Sequence, residues 1–158
     1  FQRAFSSVQM TIEAKALDTL VFFSAGFPKI MHLIGDAAYW TDKDGVIDHD
    51  DATTAVLAAA EEVGKKYVDQ QVYGALRSKD YHAILNRIAA DVSSDMRFDK
   101  AKLAAGLTDI QKKKLGNFLQ KMKRLNVIRS GEAKGEYVFN SRMVCLYIWL
   151  QANRRASP

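Results

Sequence analysis

The chain has 158 residues, of which 48% are apolar and 26% charged, with one Cys and two Pro; that allows one ordinary domain or two small ones and excludes an unfolded chain. No run approaches the ~20 apolar residues of a membrane-spanning helix, which argues against an integral membrane protein. The net charge of +5 divides unevenly: residues 1–76 carry 6 basic and 11 acidic side chains, net −5, and residues 77–158 carry 17 and 7, net +10. Two modules with different partners are expected, residues 1–76 and 77–158. The second is either drawn to a polyanion such as nucleic acid or simply coated with solvated lysines.

The opening Phe1-Gln2-Arg3-Ala4-Phe5 has no signal-peptide apolar segment and reads as a cut into a longer chain. After an extended stretch at 8–12, Leu17, Leu20 and Val21 follow helical spacing, and Ser24-Ala25-Gly26 is a stop signal. Pro28 suits the first turn of a new helix running to about Tyr39. There Met31, Ile34 and Ala38 form a stripe with Ile30, Leu33 and Ala37 beside it, so this helix is expected to be wetted on little of its surface.

Asp42-Lys43-Asp44-Gly45 has some of the spacing of a calcium loop. The pattern fails at its ends, where Trp40 and Asp51 occupy the first and twelfth positions. A turn followed by a helix cap fits better, with Asp48 accepting from the next turn and Asp50 and Asp51 at the positive end of the dipole. The helix that follows runs through Ala52, Ala55, Val56, Ala59, Ala60 and Val63. It can continue through Tyr67, Val68 and Val72, with Gly64 and Gly74 as candidate breaks. No convincing strand is read in this half.

In the basic half, Tyr81, Ile84, Leu85, Ile88, Ala89 and Val92 lie on one helical face, and Ser93-Ser94-Asp95 ends that helix. Asp99 caps a short second helix through Leu103, stopped by Gly106. Thr108-Asp109-Ile110-Gln111 matches a capping box and opens a third helix to about Leu125. At 100° per residue, Leu115, Phe118, Leu119, Met122 and Leu125 share one face. The opposite face holds Lys113, Asn117, Gln120 and Arg124, flanked by Lys114 and Lys121. Such side chains bind phosphates and read bases, Arg pairing with guanine and Asn or Gln with adenine.

Val127-Ile128-Arg129-Ser130 and Glu136-Tyr137-Val138-Phe139 flank a Gly-containing loop with Lys134, the pattern of a β-hairpin. The expected fold is therefore mainly α: a small helical bundle, then a winged helix-turn-helix with a hairpin wing and a buried C-terminal helix. That last helix, about Arg142 to Ala152, is apolar nearly all round, so it must be covered within the chain or form a homodimer seam. Cys145 lies within it and reads as an inert core thiol; a single Cys excludes an internal disulfide and fits a reducing, cytoplasmic setting. His32, His49 and His82 form no ligand pair, no phosphate-loop or dinucleotide motif is present, and no catalytic grouping stands out.

The stretches Gln9-Met10-Thr11-Ile12-Glu13, Ala16-Leu17-Asp18-Thr19-Leu20 and Ser24-Ala25-Gly26-Phe27-Pro28-Lys29 resemble the helical lid of AAA+-type ATPases. Val46-Ile47-Asp48-His49-Asp50-Asp51-Ala52 looks like the start of that family's last lid helix. A winged helix directly after the lid is similar to origin-recognition-type initiators and related bacterial and archaeal ATPases. The resemblance implies an upstream P-loop domain that binds ATP and Mg, none of it in this fragment. It also implies a nucleotide-sensing residue after the Ser-x-Gly turn. Here that neighbourhood offers Lys29, which can meet a phosphate as a point charge but lacks the Arg fork.

The expected function is that of a lid and DNA-binding winged helix, without catalysis of its own. Duplex DNA would be held by Lys113, Lys114, Asn117, Gln120, Lys121 and Arg124, with Arg129 and Lys134 at the wing. The alternative is a protein-interaction module of a signalling ATPase, whose winged helix docks on an acidic protein surface.

Overall fold

A computed structural model of the chain describes residues 1–93 and 95–156, so Ser94, in the expected stop after the first basic helix, lies outside the described residues. The chain divides into two compact units, Phe1–Glu62 and the part from Val63 onward, whereas the charge pattern divides it after Leu76. Drawn at Glu62, the asymmetry sharpens: the first unit has 4 basic and 10 acidic residues, net −6, and the remainder 19 and 8, net +11. Both units are mainly helical, each with a small sheet. Among the described residues no helix is long and apolar enough to cross a membrane.

The first unit runs α1 (Gln2–Ser7), β1 (Thr11–Ile12), α2 (Ala14–Ser24), α3 (Pro28–Thr41), β2 (Val46–Ile47) and α4 (His49–Val63), the last residue belonging to the second unit. The two strands pair in parallel, Thr11 opposite Val46 and Ile12 opposite Ile47, a pair the sequence pattern does not announce. Ala25 at φ +50° and Gly26 at φ +75° turn the chain between α2 and α3. Pro28 occupies the first turn of α3 as expected. Asp48 Oδ1 accepts from the Asp50 and Asp51 N–H groups at 2.8 and 2.9 Å, while Asp51 accepts from the Asp48 N–H at 3.2 Å. The cap expected at the start of α4 is therefore present and reciprocal.

Leu20, Ile34, Ala38, Ile47, Ala52, Ala55 and Val56 are buried in this unit. The helical spacing of Leu17, Leu20 and Val21 is present in α2, with Leu20 buried and Val21 exposed. One expectation fails: α3 buries only Ile34 and Ala38 while Tyr39 and Trp40 face solvent. α3 therefore packs along one narrow stripe and is not an all-round interior helix.

The second unit opens with a π-helix, Gly64–Tyr73. Val63 keeps right-handed helical angles, so Gly64 does not break the helix, and the Gly74 N–H reaches the Asp69 carbonyl five residues back at 2.8 Å. There follow α5 (Lys79–Asp91), β3 (Arg97–Asp99), α6 (Lys100–Ala105), α7 (Asp109–Arg124), β4 (Ile128–Ser130), β5 (Glu136–Phe139) and α8 (Arg142–Ala156). The expected hairpin is β4–β5; β3, which the sequence reading lacks, adds to its other side to give the antiparallel order β3-β5-β4. Val68, Val72, Leu76, Ile84, Leu85, Ile88, Phe118, Leu119, Met122 and Ile148 form one core. α8 packs on α5 and on the π-helix, so its apolar surface is covered within its own unit. Trp149 is nonetheless 43% exposed, which corrects the expectation of burial on every face. Burial pushes the Cys145 thiol up to about 12, so it stays protonated and unreactive.

Candidate nucleic-acid interface

The candidate surface is carried by α7, and its two ends are fixed by local chemistry. At the start, Thr108 Oγ1 accepts from the Gln111 N–H at 3.4 Å and Gln111 Oε1 accepts from the Thr108 N–H at 3.0 Å, the complete capping box. At the end, Asn126 adopts a left-handed φ of +55° and the Val127 N–H returns to the Met122 carbonyl at 3.0 Å. The Asn140 amide then donates to Asn126 O and Oδ1 at 2.9 and 3.0 Å, tying the helix exit to the end of β5.

Leu115, Phe118, Leu119 and Met122 are buried, which leaves the opposite face of α7 outward. Lys113, Asn117, Gln120 and Arg124 are all exposed there. Asn117, Gln120 and Arg124, with Lys121, Tyr81 and Leu125, line an open groove of about 480 Å³. Tyr81, expected in the α5 core stripe, is half-buried and meets Phe118 edge-on at 5.5 Å while its other side joins this groove.

Lys114 and Lys121 turn inward to their own unit. Lys114 Nζ donates to Asp80 at the start of α5, and Lys121 Nζ donates to the Ala75 carbonyl. Both lysines help seat α7 against α5 and its entry, so a phosphate would have to compete for them. Ile110 shares this face without belonging to the stripe of lysines and amides, and is 62% exposed in the first turn of α7. Its angle, 220° on the scale that puts Leu115 at zero, falls between Asn117 and Lys121 and was readable from the sequence.

The hairpin is joined to α7 by Lys123, which donates to Ser130 Oγ at 2.6 Å and lies 5.1 Å from the centre of the Tyr137 ring. Arg129 is exposed on β4 and donates to Asn140 Oδ1 at 3.2 Å; Lys134 is exposed in the loop. That loop is built around one carboxylate. Glu136 Oε2 accepts from the Glu132 N–H at 2.9 Å, the Ala133 N–H at 3.5 Å and Arg97 Nη1 at 3.0 Å. A Cβ at Gly131 would strike the Glu136 side chain, so a larger residue there would push the carboxylate out of these bonds.

Burial works against ionisation of Glu136, but the Glu132 and Ala133 N–H groups and the Arg97 guanidinium outweigh it and hold its pKa below the usual carboxylate range. A depressed folded value means that the wing's stabilisation is fully present above the ordinary carboxylate pKa and is lost as pH falls through the depressed one. In an amide-proton NMR titration, the Glu132 and Ala133 resonances are expected to shift with a midpoint below that of a free glutamate. Glu136→Gln should abolish that titration and lower Tm; an ordinary midpoint would contradict the loop geometry.

Lys29 is exposed at the second position of α3, in the first unit and not among the α7 residues. His32 lines a separate apolar groove of that unit with Phe1, Val8, Met31 and Tyr39, and His82 stacks on Tyr73 beside the Leu76 carbonyl. Among the described residues no group of three His, Cys, Asp or Glu side chains is arranged to hold a metal.

No family model matches this chain, and neither a curated protein nor a solved structure does. The functional reading therefore rests on the surface just described and on the local motifs.

Proposed function

We propose that the second unit is a winged helix-turn-helix that binds duplex DNA, with α6 and α7 as the helix pair and the β4–β5 loop as the wing. The observation that carries this reading is the outward face of α7, where Lys113, Asn117, Gln120 and Arg124 stand exposed in one stripe. A helix of about 10–12 Å diameter fits a major groove about 12 Å wide, and those four side chains combine phosphate contact with bidentate base readout. The order of three helices with an antiparallel β3-β5-β4 sheet supports the winged-helix assignment. The net charge of +11 from Val63 onward supplies the long-range attraction.

The first unit is proposed as the helical lid of an AAA+-type ATPase, whose ATP and Mg would be bound by a P-loop domain elsewhere in the full protein. That part rests on the motifs between Gln9 and Ala52 and on the left-handed turn at Ala25-Gly26. Lys29, exposed just after that turn, is the residue proposed to approach a nucleotide phosphate. The two parts of the proposal use different residues and stand independently.

The test is fluorescence anisotropy of a labelled random-sequence duplex across 50 to 200 mM salt. Four cationic contacts, from Lys113, Arg124, Arg129 and Lys134, give an expected slope of log affinity against log salt of about −3 to −4, or roughly a hundredfold loss over that range. Absence of binding at the lowest salt would remove DNA and leave an acidic protein surface as the partner of this face.

A further inference from the structure

Ile110 is the feature of α7 that the charge stripe does not explain. Among the described residues from Val63 onward it is the most exposed large apolar side chain, at 62% against 43% for Trp149 and 42% for Tyr67. It lies on the same helical face as Lys113 and Asn117, at the N-terminal end, where recognition helices make their base-edge contacts. Its position is not loose. The Thr108–Gln111 capping box fixes the first turn around it, and a β-branched side chain in a helix is nearly restricted to one χ1 rotamer. Solvation of such a group is unfavourable, and nothing polar is gained by placing it among lysines and amides.

The major groove offers one apolar group at the level of the base edges, the C5-methyl of thymine. We propose that Ile110 is a specificity-determining residue that packs on a thymine C5-methyl, in the same site as the base pairs read by Asn117 and Gln120 but beyond them toward the start of α7. Resting on the proposed DNA binding, this assigns the read sequence a thymine at the end of the site under the start of α7. Ile110 and Asn117 are seven residues apart, about 10 Å along the helix, so the thymine lies about three base-pair steps from the adenine contact. The contact is apolar and adds no charge, so it is expected to change affinity without changing the salt slope.

The test compares a 20-base-pair alternating A·T duplex with the same duplex carrying deoxyuridine for every thymine, which deletes the methyl and leaves every hydrogen-bonding group of the base edge in place. The protein is the full chain at 50 mM salt, as wild type and as Ile110→Ala; the exposure of Ile110 leaves the core untouched, and circular dichroism checks the fold. Wild type is expected to bind the thymine duplex about fourfold more tightly than the uracil duplex, the value of one buried methyl. Ile110→Ala is expected to bind both equally, at the level of wild type on uracil. Equal binding of both duplexes by wild type, with the salt dependence intact, would overturn the thymine contact and leave DNA binding standing. A preference that persists in Ile110→Ala would overturn it too, because duplex shape would then be the cause. Failure to bind either duplex would overturn both readings together.

Discussion

Reversing the charge of Lys113 and Arg124 together, as Lys113→Glu with Arg124→Glu, is expected to weaken duplex binding by about a hundredfold or more at 50 mM salt and to flatten the salt slope by about two units. Each residue stands exposed on the outward face of α7, so neither substitution disturbs the Leu115–Phe118–Leu119–Met122 face that holds the helix in place. The loss has two parts: two counterion-releasing contacts disappear, and two carboxylates are brought against phosphates. Only the first part sets the change in slope, about 0.9 per phosphate contact, so slope and affinity give separate readings. Lys114→Glu is the contrasting variant. Its ammonium is already paired with Asp80, so reversal places two carboxylates together at the α5 entry and should lower Tm as well as affinity. Unchanged affinity of the double variant in anisotropy would remove α7 as the reading helix, whatever the rest of the surface did.

The difference between Lys113 and Lys114 also marks how far the sequence could be read. The α7 helix was legible from end to end because its signals are local: a capping box spanning four residues, a heptad-like apolar face and a basic last turn. What the cations on it do was not. Lys114 meets Asp80 across 34 residues of chain and Lys121 meets Ala75 across 46, and no helical wheel carries information about partners at that distance. Short strands failed for a related reason. Thr11–Ile12, Val46–Ile47 and Arg97–Asp99 are two or three residues long, too short to display alternation, and each is defined by its partner strand. The β4–β5 hairpin was visible because its two strands are neighbours in the chain and a glycine-bearing loop joins them. Its third strand had no such marker. In the first unit, apolar periodicity over-counted burial on α3, since periodicity says which residues share a face but not how much of the helix a small unit can cover.

The π-helix is the clearest case of a distant residue setting local geometry, and it yields the largest expected stability effect. In isolation, Gly64→Ala within a helix should stabilise by about 1 kcal/mol, because alanine is the better helix former. The packing reverses that sign. A Cβ at Gly64 would lie 2.2 Å from Cγ and Cδ2 of Tyr147, well inside contact distance. Nor can the ring move aside freely: Tyr147 is 2% exposed in the core, and its hydroxyl donates to Asp69 Oδ1 at 2.9 Å, on the same π-helix. Glycine at 64 therefore makes the slot for the ring, and Asp69 holds the ring in it. Gly64→Ala is expected to destabilise by about 2–4 kcal/mol in urea unfolding, in the range of overpacked cores and large single-site effects. Tyr147→Phe keeps the ring and loses only the hydrogen bond, so about 1 kcal/mol is expected. Tyr147→Leu shortens the side chain that the new methyl strikes. Combined with Gly64→Ala it should cost less than the sum of the two single changes, the mark of residues in direct contact. Stabilisation by Gly64→Ala alone would show that propensity governs this site and that the ring does not occupy the glycine slot.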